Sequence, residues 1–342
     1  MSVARVGGFA LDHGPIKLNR MMIWIWSMIL SENRFPATDR VREQAFGNML
    51  QEMAMMRNAA HSIAMATLVL LCVGRVPAQA QDTSRWDGEP HGSTRLIGGA
   101  TVKSADAKVI RAGIEIRLDP GWKTYWRYPG DSGVPPTLDF AGSQNIKSVT
   151  TLWPAPERFS DGGGGYSIGY HGDVVLPLRI VPNDASKPSS LRLKLGYAVC
   201  GKLCMPAQAD LDLTLSGKAG AQEPMLLAAE ARVPRRLALG EVAGLGIAAV
   251  HREAADGKRE RVIVDVAVPD AVPIELFVEG PTAEWALPLP QLAGPAPKGT
   301  SGTQRFIFDL DGLPPGAKAQ GALLTFTAVS PSEAVEVQAR LD

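Results

Sequence analysis

Two segments in the middle of the chain alternate between apolar and polar residues. In residues 191–199 the odd-numbered positions are apolar, and in residues 211–215 they are leucines. Alternation with a period of two is typical of a strand that buries one face. We therefore predict an antiparallel hairpin over residues 191–215, with residues 201–203 as its three-residue loop.

One register of this hairpin satisfies three requirements together. It opposes leucines on the core face, and it opposes residues of opposite charge on the other face. The charged pairs are Arg192 with Asp212 and Lys194 with Asp210. The same register opposes Cys200 to Cys204, which places their Cα atoms about 4.5–5.5 Å apart, within the usual span of a disulfide. A slip by one residue would exchange the two faces, so the register is strongly specified.

The residues around the two cysteines leave room for another protein. Gly196, Ala198 and Pro206 are small neighbours on the same face and form the candidate docking surface. Lys202, inside the loop, would favour a thiolate. A disulfide that closes so short a loop removes little entropy from the unfolded chain. We therefore expect a labile, redox-active pair, with a structural disulfide as the alternative.

The start of the chain resembles a processing signal more than a folded domain. Residues 53–80 contain Arg57, an apolar segment and an Ala-Gln-Ala site, which is typical of a secretory signal peptide cut before Gln81. Residues 1–52 are then an N-terminal extension outside the native fold, and an uncleaved signal anchor is the alternative. Export would place the cysteines in an oxidising compartment, where closely spaced pairs form disulfides.

Composition and the remaining pattern favour a protein built from strands. The 342 residues have a formal net charge of zero, which gives no indication of nucleic-acid binding, and the 35 glycines and 26 prolines suit a turn-rich β protein. Residues 95–118, 146–153 and 174–180 are predicted strands. Residues 219–236 are predicted to be a linker with a short helix, because Pro224 would lie in its first turn.

The last part of the chain, residues 237–342, contains several more strand-like segments separated by proline-rich turns. We predict that it forms a second small β-sandwich. Acidic residues near His251 could suggest a metal site, but they are expected in a charged, solvated turn. They are Glu253, Asp256 and Glu260. No metal is therefore expected.

Several separated motifs, taken in order, carry a resemblance to a known family. They are GWKTYWR (121–127), PGD (129–131), PP (135–136), WPAP (153–156), LP (176–177), and YAVC (197–200) followed by CMP (204–206). Together they resemble the N-terminal periplasmic domain of the DsbD and ScsB thiol:disulfide interchange proteins. The resemblance covers about residues 88–218, and the three-residue spacing of the cysteines is more similar to ScsB.

The resemblance implies an all-β chain whose two domains are immunoglobulin-like β-sandwiches, the first of which exchanges disulfides without a cofactor. It implies that Cys204 forms the mixed disulfide with a partner and that Cys200 resolves it. A cap loop should cover the pair, and by position it contains Phe159, Asp161 and Tyr166. The implied activity is of the protein-disulfide reductase type.

The implied partners are thioredoxin-like periplasmic oxidoreductases and a DsbD- or CcdA-like membrane electron transporter. Nothing after residue 218 resembles the family's membrane or thioredoxin domains, so a free-standing periplasmic module is expected. Two alternatives stay open. One is a Cu(I)-binding module that uses soft ligands, and the other is an adaptor with a structural disulfide. The soft ligands would be Cys200, Cys204, Met205 and His171.

Overall fold

A computed structural model describes residues 82–104, 107–131, 133–160, 164–253, 260–269, 272–294 and 302–342. The predicted extension at 1–52 and the predicted signal peptide with its cleavage site, at 53–81, lie outside these ranges. Within the described ranges the chain forms strands and one helix. The all-β prediction is therefore confirmed.

Eleven strands precede the helix within the described residues. In chain order they are β1 (Asp87–Glu89), β2 (Gly92–Ser104), β3 (Ala107–Leu118), β4 (Lys123–Gly130), β5 (Thr137–Asp139), β6 (Ile146–Thr151), β7 (Glu157–Ser160), β8 (Tyr166–His171), β9 (Val174–Pro182), β10 (Ser189–Cys200) and β11 (Cys204–Leu215). They form two sheets, one with the order β1-β2-β3-β9-β6 and one with the order β11-β10-β4-β8-β7. Strand β5 pairs with β10 beside the second sheet.

The helix and eight further strands follow. They are α1 (Glu223–Ala231), β12 (Arg235–Leu237), β13 (Gly246–Glu253), β14 (Arg261–Val268), β15 (Glu275–Glu279), β16 (Gln291–Leu292), β17 (Gly302–Asp309), β18 (Leu323–Val329) and β19 (Ala334–Arg340). Two four-stranded sheets result, with the orders β12-β19-β18-β15 and β13-β14-β17-β16. The predicted short helix is thus present, with Pro224 in its first turn.

The predicted hairpin register is the one observed between β10 and β11. Leu193 lies opposite Leu211, and Cys200 lies opposite Cys204. The charged face differs in one detail, because Arg192 makes its ion pair diagonally with Asp210, at 3.7 Å between Nε and Oδ1. Alternation of buried and exposed residues continues along both strands. Each fully buried leucine contributes roughly 1.5–3 kcal/mol of transfer free energy, which favours this register over a one-residue slip.

The core of the first two sheets lies between them, around the fully buried Trp126 of β4. It continues into the later part of the chain, since Phe277 of β15 belongs to the same cluster of buried side chains. The rings of Trp126 and Phe277 have their centroids 6.0 Å apart. A second core fills the space between the last two sheets, around residues such as Phe326.

An ion-pair cluster joins β4 to the later strands. The guanidinium of Arg127 lies 2.6 Å from Oε1 of Glu279 and 2.6 Å from Oε2 of Glu336. The Tyr128 hydroxyl donates to the carbonyl oxygen of Leu287 at 3.0 Å. Strand β4 is therefore fixed to the second half of the chain by charge-assisted hydrogen bonds from Arg127 and by the neutral hydrogen bond from Tyr128. The boundaries 88–218, 219–236 and 237–342 stay a prediction.

Candidate redox site

The site lies at the end of the β10–β11 hairpin, where a disulfide joins Cys200 and Cys204. Their Cα atoms are 4.1 Å apart, and the Gly201 amide donates to the Leu203 carbonyl oxygen at 3.0 Å to shape the loop. The two sulfur-bearing residues differ in exposure: Cys200 is 0% exposed, whereas Cys204 is exposed. The sequence predicts both cysteines on an open face. In the structure Cys204 is exposed as expected, whereas Cys200 is buried.

A tyrosine hydroxyl lies next to both sulfurs. Tyr125 Oη is 3.1 Å from Sγ of Cys200 and 3.2 Å from Sγ of Cys204. Neither sulfur of a disulfide carries a hydrogen, so the hydroxyl is the donor. Tyr125, Cys200 and Ala198 form a small buried cluster. When the disulfide opens, the same hydroxyl can donate to a thiolate, which makes Tyr125 the polar group closest to the chemistry among the contacts described.

Strand β4 also places a lysine beside the pair. Lys123 lies directly opposite Cys200 on one side and opposite His171 of β8 on the other. Directly opposed residues in a sheet point to the same face. Cys204, Cys200, Lys123 and His171 therefore form one row across four neighbouring strands.

Phe159 of β7 packs over this row. Lys123 Nζ lies 4.2 Å from the centre of the Phe159 ring, and the His171 ring meets Phe159 edge-on at 4.8 Å between centroids. Phe159 is 8% exposed, whereas Tyr166 is 38% exposed and lies near the guanidinium of Arg158. These positions favour Phe159 over Tyr166 as the shielding side chain.

The segment expected to be a cap loop has a strand at each end. Phe159 and Tyr166 lie on paired strands, β7 and β8, with Ser160 opposite Tyr166. The sequence did not reveal these strands, because the glycines at 162–165 indicate a flexible segment. Asp161, the third predicted cap residue, lies outside the described residues.

The predicted docking surface is divided between covered and open positions. Ala198 is buried, and Gly196 is half-buried against Thr137, where an added Cβ would come within 2.6 Å of the threonine hydroxyl. Pro206 is exposed. The structure thus differs from the expected open face at Ala198, which is buried together with Tyr125 and Cys200. The docking role of these residues stays a prediction.

The loop itself presents two exposed side chains. Lys202 is exposed, and Leu203 is 76% exposed. On the other side of the loop, Trp122 packs against Gly201, where an added Cβ would lie 3.0 Å from the indole. The imidazole of His91 stacks on Trp122 at 4.0 Å between ring centroids. Thus one side of the loop rests on an aromatic support while the other side is accessible.

One of the four residues considered for a copper site lies on a different face of the sheet from the other three. Met205 lies opposite Val199 and packs against the core, on the face away from the cysteine row. Within the described ranges, no group of three or more His, Cys, Asp or Glu residues forms a candidate metal site. Asp256, from the charged turn near His251, lies outside those ranges.

Comparisons with known proteins agree with this geometry. Residues 98–216 match the family model described as "Thiol:disulfide interchange protein DsbD, N-terminal". The expected resemblance is confirmed over this segment. The segment contains both cysteines, Tyr125, Lys123 and Phe159, so the DsbD-type match spans the whole site.

A solved structure extends the similarity of fold beyond that segment. The N-terminal periplasmic domain of ScsB from Proteus mirabilis superposes with a TM-score of 0.58 at 23% identity, covering 76% of this chain and 98% of that one. A search of the curated proteins found no match. The shared fold is consistent with the expected immunoglobulin-like sandwich. At family level, the DsbD-type match over residues 98–216 supports thiol–disulfide interchange.

Sequence reasoning did not identify Lys123 as a site residue. It chose Lys202, which is close to the cysteines along the chain, whereas Lys123 is close to them across the sheet. Residues 123–130 do not alternate regularly between apolar and polar residues, so the sequence does not predict β4 as a strand. In the structure, three consecutive residues of β4 are buried, namely Thr124, Tyr125 and Trp126. Only the pairing of β4 with β10 brings this lysine to the site.

Proposed function

We propose that the protein is a periplasmic thiol–disulfide exchange protein that relays reducing equivalents through Cys200 and Cys204 to thioredoxin-like oxidoreductases. The observation that carries the proposal is the arrangement of one exposed sulfur, one buried sulfur and a tyrosine hydroxyl at 3.1–3.2 Å from both. The DsbD-type match over residues 98–216 supports the same chemistry. The activity is of the protein-disulfide reductase type.

Reduction of the protein begins at the accessible sulfur. A donor thiolate attacks Sγ of Cys204, a donor–Cys204 disulfide forms, and the Cys200–Cys204 bond breaks. The electron pair of that bond goes to Cys200, which leaves as a thiolate next to the Tyr125 hydroxyl. A second donor thiol then attacks the donor's own sulfur, and Cys204 is released as a thiolate. The donor ends oxidised, and both cysteines end reduced.

Delivery runs through the same bonds in the opposite direction. The Cys204 thiolate attacks the disulfide of an oxidoreductase and forms a mixed disulfide. The Cys200 thiolate then attacks Sγ of Cys204, which restores the Cys200–Cys204 disulfide and releases the partner as a dithiol. Two electrons move and no cofactor is required. The buried position of Cys200 suits the resolving role, because a partner's disulfide cannot reach it first.

The electron donor proposed for this cycle is a DsbD- or CcdA-like membrane electron transporter. Among the described residues, no helix is long and apolar enough to cross a membrane. The periplasmic location rests on the signal sequence predicted at 53–80 and on the location printed for the ScsB domain. No observation favours the copper-binding alternative as a second function.

A direct test follows electrons from this protein to a model acceptor. The full chain is reduced, freed of reductant and mixed with an oxidised thioredoxin-fold oxidoreductase, and the redox state of each protein is followed by thiol labelling and mass spectrometry. We expect the acceptor to become reduced as the Cys200–Cys204 disulfide forms. The Cys200→Ala and Cys204→Ala variants should fail to turn over. If wild type and both variants leave the acceptor oxidised, the adaptor alternative replaces this proposal.

A further inference from the structure

Cys200 is a difficult place to form a thiolate. Its side chain is fully buried, and burial in apolar surroundings disfavours the charged form of a thiol. The proposed cycle nevertheless requires Cys200 as a thiolate twice, once as the leaving group and once as the resolving nucleophile. The Tyr125 hydroxyl supplies one hydrogen bond, but it carries no positive charge.

The site offers two lysines that could supply the charge, and they differ in placement. Lys202 is exposed in the loop, where water screens its charge. Lys123 is half-buried and directly opposite Cys200 across two hydrogen-bonded strands, with its side chain on the same face. A charge in a half-buried position acts more strongly on its neighbour than an exposed one.

The Phe159 ring fixes where the Lys123 ammonium lies. Nζ is 4.2 Å from the centre of the ring, which is within cation–π distance. Phe159 is itself buried and meets His171 edge-on. The long lysine side chain is therefore held over the row that contains the disulfide instead of extending into solvent.

We propose that Lys123, held by Phe159, is the cation that stabilises the Cys200 thiolate during disulfide exchange. The inference rests on the proposed function and deepens it by assigning the residue whose charge stabilises the thiolate. It also gives Phe159 a second task besides shielding, because the ring fixes the position of the Lys123 ammonium. The bonds formed and broken are those already given for the exchange cycle.

Other charged or titratable groups face the same sulfur or lie close to its row. Tyr125 donates to the sulfur, and His171 lies beyond Lys123 in the row, where its Nδ1 is 3.3 Å from Oε2 of Glu157. Lys202 is in the adjoining loop. A neutral side chain at position 123 leaves all of these in place, so the substitution isolates the contribution of one charge.

The test measures the thiol pKa of Cys200 in the full chain. Cys204→Ala and Cys72→Ser are introduced so that Cys200 is the only thiol, and its ionisation is followed by the ultraviolet absorbance of the thiolate against a Cys200→Ala control. Lys123→Met should raise the thiol pKa by roughly one unit or more, which is about a tenfold loss of thiolate at a given pH. Lys202→Met, the matched control, should change it little. Lys123→Arg should keep the wild-type value.

The same variants in the two-cysteine protein separate failure of this inference from failure of the proposed function. We expect Lys123→Met to slow reduction of the disulfide by a small dithiol about tenfold. Suppose that the wild-type disulfide exchanges. If Lys123→Met and Lys202→Met then show the wild-type exchange rate and the wild-type thiol pKa of Cys200, Lys123 does not stabilise the thiolate. If Lys123→Met does not fold, failure of Lys123→Arg to keep the wild-type thiol pKa overturns the inference. If the wild type does not exchange at all, it is the proposed function that fails.

Discussion

Cys200 is fully buried, whereas Cys204, the residue directly opposite it in the β10–β11 hairpin, is exposed. The register alone places the two residues symmetrically. The asymmetry arises because β4 covers one side of Cys200 and contributes the ring of Tyr125, while β11 is the edge strand of its sheet. A docking protein can therefore reach Cys204, whereas Cys200 is covered.

This difference predicts which variant traps a partner. Cys200→Ala leaves the accessible thiol without a resolving neighbour, so mixed disulfides with thioredoxin-fold oxidoreductases should accumulate. Cys204→Ala leaves only the buried thiol and should give few or none. The measurement is non-reducing electrophoresis with mass spectrometry after mixing each variant with an oxidised acceptor. More trapping by Cys204→Ala would reverse the assigned roles.

The Tyr125 hydroxyl should affect exchange more than stability. Tyr125→Phe removes the donor next to both sulfurs and retains the ring. A hydrogen bond to a charged group contributes about 1.5–3 kcal/mol, so we expect disulfide reduction to slow by roughly tenfold or more. The rate of reduction by a small dithiol measures this effect.

Tyr128→Phe is the control for the loss of a tyrosine hydroxyl. The Tyr128 hydroxyl donates to the Leu287 carbonyl oxygen, and burial raises its pKa to about 12, so it stays protonated at the pH of the assay. Its removal should leave the exchange rate near the wild-type value. Equal rates for Tyr125→Phe and wild type would show that the hydroxyl plays no part in exchange.

Arg127 should contribute strongly to stability. Burial opposes its charge, but Glu279 and Glu336 more than offset this and hold its pKa above the ordinary value. Arg127→Met would leave Glu279 without this cation and Glu336 with only its pair to Arg236, at 3.2 Å. We expect the change to lower the free energy of unfolding by about 3 kcal/mol. Urea unfolding measures the loss. Arg192→Met, which removes an exposed pair, should cost less than about 1 kcal/mol, and a similar value for Arg127→Met would contradict the account.

Asp265 should make part of the stability depend on pH. Hydrogen bonds from the Arg305 guanidinium, at 2.7 and 2.9 Å, lower the pKa of the Asp265 carboxyl. A lowered pKa in the folded state gives a stabilising contribution that is fully present above the unfolded-state pKa and is lost as the pH falls through the folded-state value.

The difference in melting temperature between wild type and Asp265→Asn measures this contribution. We expect a constant difference near neutral pH that shrinks on acidification below about pH 4. A difference that grows on acidification would be inconsistent with the lowered pKa.

The parts of the fold that the sequence predicts are those in which local pattern and burial agree. The β10–β11 register followed from alternating leucines and opposed charges, and strands such as β6 (Ile146–Thr151) and β9 (Val174–Pro182) lie close to their predicted positions. The helix followed from the proline at its start. Each of these predictions uses only residues that lie close together in the sequence or that are joined by one turn.

The parts that the sequence does not predict depend on which strands become neighbours. Strand β4 pairs with β10 and β8, which are far from it in sequence, and this pairing buries Cys200 and brings Tyr125 and Lys123 to the disulfide. Neither residue lies near a cysteine along the chain. The choice of Lys202 as the thiolate-stabilising cation had only chain proximity to support it, and that role stays an untested prediction.

The reduction potential of the Cys200–Cys204 pair tests the central claim most directly. The full chain is equilibrated in defined thiol buffers, and peptide-level mass spectrometry reports the oxidised fraction of this pair separately from Cys72. A potential between roughly −180 and −270 mV would place the pair among exchange-active proteins, as the account predicts. A potential below about −300 mV would identify a structural disulfide and contradict it.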